Sequence, residues 1–515
     1  MKKVIATGVS LLALAIAAPL SAQSVSTLEQ TGNGNGAMVT QTGSNTSDVD
    51  QDGTDNEATV LQSGSGGISN IDQTGAENTA TTTQASLGGF ADVVQNGTGN
   101  GSIINQNDAS AAGSTGSVAQ DPEAFVNQQG DNNSSDISQT NVAGSSDLVA
   151  IVSQTADSNI SDVIQSANGP GLTGSLVANV VQADGATSLI TQSASGTNSV
   201  IQEANVDQDG ANSSTISQTF TQPASTRYTA TVFQRGDDNA STVTQADFSP
   251  GSAISPDERL TATVTQTGDG NTSNLTQLNK METATITQSG NDNMSDAMQN
   301  GSSLTLTVDQ TGDANESDIL QGGNANAATV SQAGIGATST ITQFGRSNAI
   351  FIDQLVGSDG SSSIVTQTTL PASAQTRNTA RVTQSAADNS SAITQGGFNG
   401  SATVNQSGPE NASTITQIGT VQFGNGLVSN VANVTQSGED NMSEVSQNGS
   451  LNIATLLQSG VENTADVSQT GSGNETDILQ SGQLNSATVT QTNSNNVSNI
   501  IQAGSGGSVT VTQGS

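Results

Sequence analysis

Glutamine recurs every 11 residues along this chain, and that period constrains the fold more than any other feature. One run holds Gln266, Gln277, Gln288, Gln299, Gln310, Gln321, Gln332, Gln343 and Gln354. A second holds Gln436, Gln447, Gln458, Gln469, Gln480, Gln491, Gln502 and Gln513, and a third extends from Gln30 to Gln106 with one step of 10 between Gln41 and Gln51. The unit reads Q-x-G-x-x-N-x-A-x-V-x-Q. Gln480, Gly482, Asn485, Ala487, Val489 and Gln491 fit it; Gln436, Gly438, Asn441, Ser443, Val445 and Gln447 fit it with Ser in place of Ala. A fixed period of this kind marks a stack of small supersecondary units. Five residue types held at constant spacing separate it from a disordered Gln/Asn-rich tract.

Asn485, Ala487, Val489 and Gln491 lie two apart, so in an extended chain they share one face, with Ser486, Thr488 and Thr490 on the other. In the preceding unit Asn474, Thr476, Ile478 and Gln480 take the inward parity, and Glu475, Asp477 and Leu479 the outward one. The seven residues from Asn to Gln are predicted to form a strand, and the x-G-x-x that follows a turn, with Gly268, Gly438 and Gly482 supplying permissive backbone angles. Two units make a strand–turn–strand rung of 22 residues. Ala262, Ser273, Ala284, Ser295, Leu306, Ser317, Ala328, Ser339 and Ile350, each four before a Gln, alternate as two sides of a rung would. Further on, Ala454 is followed by Ala465, where the alternation lapses. Irregular insertions are expected near 107–127, 246–260, 355–381 and 418–434, where the period breaks, as loops bulging from the stack or as linkers between stacks.

The expected fold is therefore all-β: a β-solenoid of stacked rungs with amyloid-like cross-β order. Only 2% of residues are aromatic, with one Tyr and no Trp, so a conventional large-side-chain core is excluded. Rungs stacked at the strand spacing of about 4.7–4.8 Å place successive amides in ladders that pair along the axis. The candidate ladder residues include Gln266, Gln288, Gln310, Gln332, Asn441, Gln447, Asn474, Gln480, Asn485 and Gln491. About 22 rungs at that rise would span on the order of 100 Å.

Residues 1–22 read as a secretory signal: Lys2-Lys3, an apolar run from Val4 to Leu20 broken at Pro19, and a cleavage position after Ala22. The array is then 23–515, with no membrane span after cleavage. Removing the leader leaves 7 basic against 45 acidic residues, a net charge of −38, which disfavours nucleic acid and anionic membranes as partners. Cys and His are absent, which excludes Ser-His-Asp triads, thiol nucleophiles and the usual zinc sites. No enzyme activity and no cofactor are expected. Asp237, Asp238, Asp269 and Asp440 sit in turns, where Asp is favoured for its own sake; loose calcium binding is the alternative. Outward Thr263/Thr265, Thr285/Thr287 and Thr488/Thr490 suit solvent-facing strands, with ice binding the alternative, but their columns are broken by Asp309, Phe351, Asp353 and Arg381. Glu444 and Asp466, 22 apart, would be repelling neighbours that restrain assembly.

The full pattern, recurring over most of 30–515, resembles the curlin repeat of bacterial curli subunits. The resemblance implies a subunit or nucleator of extracellular, curli-like amyloid fibres on a Gram-negative cell, supporting adhesion and biofilm matrix. It implies self-association, a related curlin subunit as a second partner, an outer-membrane export channel and a periplasmic chaperone. Two departures stand out: the repeats are far more numerous than in the usual subunits, and the first begins at Gln30, without the longer lead segment that the family's channel recognises. The alternative is a secreted, non-polymerising β-solenoid adhesin. The repeats start in period at Gln30 and end in period at Gln513, without the polar or irregular caps a monomeric solenoid needs, which favours the fibre.

Overall fold

The sequence alternates small or β-branched residues with polar ones at a period of two, and the chain forms strands that bury alternate side chains. In Ser486–Gln491, Ala487, Val489 and Gln491 are fully buried while Ser486, Thr488 and Thr490 face outward. The structure is a computed structural model that describes residues 3–7, 11–16, 23–85, 87–108, 121–142, 145–169, 172–196, 199–221, 226–247, 258–368, 377–419 and 429–514. Among these residues it is all-β, without a helix. The chain divides into two compact units, Met1–Asp269 and Gly270–Ser515, and each is a parallel β-solenoid.

In both units the two strands of a rung lie on opposite sheets, and each pairs only with the equivalent strands of the rungs before and after. Ile453–Gln458 pairs in parallel with Val431–Gln436 and Glu475–Gln480. Across the rung, Thr464–Ser472 pairs with Met442–Ser450 and Ser486–Gln491. Gln stands opposite Gln at each step, as in Gln51↔Gln73 of the first unit and Gln436↔Gln458 of the second. The 22-residue rung holds through Ala454 and Ala465, which lie on opposite sheets even though both carry Ala. In the first unit the backbones of Lys3–Thr7 and Leu11–Ile16 pair in parallel with Val25–Asn33 and Gly36–Gln41.

Most strands begin one residue later than the Asn-to-Gln stretch predicts, because Asn is held in the turn by its own side chain. Several strands run on through the following turn to nine residues, as in Met442–Ser450 and Thr464–Ser472. The turn glycines also need correction. Gly268 does adopt a positive φ of 103°, but Gly438 and Gly482 do not; the positive angles fall two residues later, at Asp440 (53°) and Leu484 (54°). Close approach demands glycine at Gly438 and Gly482. A Cβ there would lie 1.7 Å from the Gly460 carbonyl oxygen and 1.6 Å from that of Gly504.

The cores of the expected insertions, 109–120, 248–257, 369–376 and 420–428, lie outside the described residues. On either side of three of them the ladder resumes in register within a unit. Gln95 bonds Gln128 across 33 residues, Gln354 bonds Gln384 across 30, and Gln406 bonds Gln436 across 30.

A widened section of the first unit departs from the period. Successive ladder glutamines there stand 26 to 28 residues apart, as in Gln128–Gln154, Gln154–Gln182 and Gln182–Gln208. Strands lengthen to 11 residues in Ser145–Thr155, Thr173–Ala183 and Ser199–Asp209. Leu148, Leu176, Tyr228 and Leu260 stand six before a Gln, where thin rungs place Asn, and with Ala167, Ala194 and Phe220 they form a second apolar core.

Close packing along the axis is testable. Gly460→Ala, whose Cβ would meet the Gly482 carbonyl oxygen at 1.6 Å, is expected to cost on the order of 2 kcal/mol by overpacking. Gly36→Ala, with nothing within 4 Å and no positive φ, is expected to leave the denaturation midpoint unchanged.

Candidate functional site: the amide ladders and the charged face

A core of amides is stable only where each donor and acceptor has a partner. Gln436 shows how the fold provides them. Its Nε2 donates to Gln458 Oε1 in the next rung (2.8 Å), and to the backbone carbonyls of Ala412 (3.0 Å) and Asn441 (2.9 Å). The carbonyl contacts orient the amide, so the ladder has one direction. Gln458 donates to Gln480, and Gln480 to Gln502, in the same sense.

The Asn ladder is complementary. Asn441 Nδ2 donates to the Gly460 carbonyl (2.9 Å), while Asn441 Oδ1 accepts the backbone N–H of Asn463 (3.1 Å). Asn485 repeats this two rungs further on, donating to the Gly504 carbonyl, while its backbone N–H donates to Asn463 Oδ1. Asn474 sits on the opposite arc, donating to the Asn493 carbonyl and to Asn452.

Every candidate ladder residue is buried. In the second unit Gln288, Gln310 and Gln332 form one continuous column at 2.8 Å per step, and Gln447 and Gln491 are joined through Gln469. Gln266 belongs to the first unit, where it accepts from Gln234 (2.7 Å) and donates to the Ala240 carbonyl. Gly268 ties its turn to that of the preceding rung, its N–H donating to the Arg235 carbonyl and its carbonyl accepting from Asn239 Nδ2.

Not every buried polar atom is served. The hydroxyls of Ser161, Ser188 and Ser214 lie in register, fully buried, without a hydrogen-bond partner. Their value is size: serine and alanine facing each other let the two sheets come close.

The turn acids have a structural role that the sequence reading missed. Asp131 Oδ1 accepts the N–H of Thr98, Asp157 Oδ1 that of Asp131, and Asp313 Oδ1 that of Asn291. Asp237 and Asp269 do the same for Ala211 and Asp237. Each carboxylate reaches back one rung and tethers the preceding turn. The signal was present in the sequence as an acid three residues after the ladder Gln. Among the described residues no group of three or more potential ligands could hold a metal ion.

Outward acids stack in register. Glu444 stands opposite Asp466, Asp136 opposite Asp162, and Glu29, Asp50 and Asp72 follow one another. Burial pushes the Asp50 carboxyl above its usual range, and Asp72 and Glu29 add repulsion. Burial raises Asp136 too, with Asp162 adding to it. Basic residues are scarce on the described surface. Arg235 pairs with Asp207 at 3.0 Å and lies over the Phe233 ring, and Arg381 lies over Phe351.

A family model for the curlin associated repeat matches residues 44–75, 283–312, 312–345, 449–482 and 460–492. The chain is a curlin-repeat protein. No curated protein matches this curlin-repeat chain as a relative. The matched segments are thin rungs of both units; the widened section lies outside them. Curlin repeats are structural.

Gln458→Glu removes the donor to Gln480 and buries a carboxylate, with an expected cost of about 3 kcal/mol at neutral pH. Chemical denaturation should show part of that cost recovered in acid, where the protonated carboxyl donates again. The outward acids give a second expectation. The folded pKa values of Asp50 and Asp136 are raised, so the folded state holds these two protons more tightly than the unfolded chain. The charge penalty is present above the folded pKa and fades as pH falls towards the unfolded value of about 3.9. Asp50→Asn should therefore raise the thermal midpoint at pH 7 and lose that advantage in acid.

Proposed function

We propose that this curlin-repeat protein is an exported structural subunit that assembles head to tail into an extracellular, curli-like fibre. The observation that carries this reading is the one-way amide ladder. A rung offers Gln Nε2 donors and Asn Oδ1 acceptors towards the next rung, and Gln Oε1 acceptors and Asn Nδ2-binding turn carbonyls towards the preceding one. The two faces of a rung are complementary to each other and nearly identical from rung to rung. A contact of that kind between chains is heterologous and does not close, so it propagates as a filament. Unpaired strand edges template the next strand by β-augmentation.

Residues 1–22 serve as a cleaved secretory leader in this reading, and the fibre lies outside a Gram-negative cell, where it supports adhesion and biofilm matrix. A related curlin subunit, a periplasmic chaperone and an outer-membrane channel are the partners the family suggests. The acidic columns repel in register and slow assembly, keeping the chain soluble before export.

Residues 23–515, diluted from denaturant and followed by thioflavin T fluorescence, electron microscopy and fibre diffraction, should form seedable fibres with spacings near 4.7 and 10 Å. A stable β-rich monomer with no fluorescence rise would overturn the fibre reading in favour of a soluble solenoid adhesin.

A further inference from the structure

A ladder of near-identical rungs has a register problem. In thin rungs a slip that leaves out one rung still places Gln over Gln and small residues over small residues, and forfeits only the contacts of the rung left out. Register is weakly specified wherever neighbouring strands offer equivalent pairings. Nothing in the repeat Q-x-G-x-x-N-x-A-x-V-x-Q distinguishes the correct neighbour from the one beyond it.

The widened section is where this degeneracy ends. On one sheet a buried column runs Leu148, Leu176, Gln202, Tyr228, Leu260 in register; on the other it runs Ala167, Ala194, Phe220, Asp247. From Leu176 to Gln202, Tyr228 and Leu260, and from Ala194 to Phe220 and Asp247, each member differs from the next in volume or polarity, whereas the thin-rung Gln columns repeat one residue. The rings of Phe220 and Tyr228 meet edge to face at 6.3 Å between centroids. Tyr228 is the chain's one tyrosine. Gln202 is fully buried among apolar neighbours; its Nε2 donates to the Ser193 carbonyl (3.2 Å), while its Oε1 has no hydrogen-bond partner. A slip of one rung would set Tyr228 beside Ala194 or Asp247 in place of Phe220. A slip of the section onto a thin rung would bury Leu and aromatic side chains where the turn has room for Asn alone. Overpacking and mismatched arcs of 22 and 26 to 28 residues oppose both.

We propose that the strands of the widened section, from Ser145–Thr155 to Glu258–Thr267, are the register lock of the first unit: the second core selects one alignment of the wide rungs, and the thin rungs before it inherit that alignment. Phe220, Tyr228, Leu176 and Gln202 are its specificity-determining residues. A buried polar side chain within an apolar column fixes alignment at some cost in stability, as a single buried Asn does in coiled coils. The lock concerns folding within one chain and stands whether or not fibres form.

The chain has no cysteine, so an introduced pair reports alone. Thr46, Ile68 and Phe90 stand opposite one another in three successive rungs. Thr46→Cys with Phe90→Cys therefore places two thiols about 9.5 Å apart by backbone spacing, beyond disulfide reach, and a one-rung slip makes them neighbours. The full chain carrying this pair is refolded at high dilution and oxidised, and internal cross-links are quantified by electrophoresis. The cross-link should be scarce with the lock intact and several-fold more abundant with Phe220→Ala plus Tyr228→Ala. Val126→Ala plus Ile137→Ala, which removes apolar volume outside the second core, should leave it scarce, as should Tyr228→Phe. If the double alanine variant shows no β-signal, Phe220→Leu takes its place, because it removes the ring pair and keeps an apolar side chain. No rise in the lock variants, or an equal rise in the Val126/Ile137 control, overturns the proposal.

Discussion

The amide-to-amide hydrogen bond along the stacking axis is the interaction on which the rest of each unit depends. A side-chain amide carries two donors and an acceptor with two lone pairs, and burying them unpaired would cost more than the small apolar residues beside them return. Stacking identical rungs solves this, because translation by one rung carries each donor onto an acceptor. The requirement then propagates outward. Ladder geometry fixes the strand spacing, the spacing forces parallel in-register strands, and the narrow core left between two such sheets admits Ala, Ser, Val and Ile but few larger residues. Glycine follows last: at Gly438 and Gly482 the next rung's carbonyl lies where a Cβ would be.

The same translation that satisfies the core works against the surface. An outward charge that recurs in successive rungs is stacked on its counterpart, so Asp50 lies between Glu29 and Asp72 at the strand spacing. Water screens much of this, yet partial burial among neighbouring side chains raises the carboxyl's pKa. Stability and solubility are thus opposed along one axis. Turn acids escape the conflict because they find partners: Asp131 and Asp157 bind backbone N–H groups of the preceding turn, converting a repelling column into tethers.

These differences also explain how far the sequence could be read. Period and parity made the inward set, the 22-residue rung and the ladder columns legible, because a fixed spacing translates directly into a shared face. Gly438 illustrates the limit: sequence shows that glycine is needed but not whether an angle or a neighbouring carbonyl requires it. The second core was hidden for a related reason. Leu148, Leu176 and Tyr228 lie in stretches where the period falters, and a faltering period resembles an insertion. Only pairing across the rung reveals that these residues face Ala167, Ala194 and Phe220 as one packed layer.

Repetition and uniqueness make contrary demands on a chain of this kind. A rung able to stack on any other suits a filament, since it lets the last rung of one chain serve as template for the next. Within a chain that same tolerance leaves many alignments close in energy, the condition under which a sequence folds to an ensemble and not to one structure. Making every rung distinctive would restore uniqueness and destroy the templating surface. Confining the distinctive residues to one internal section separates the two demands. The thin rungs stay interchangeable, while packing differences too large to slip past are concentrated where Phe220 meets Tyr228. The departure from the repeat is on this argument a condition for using the repeat at such length.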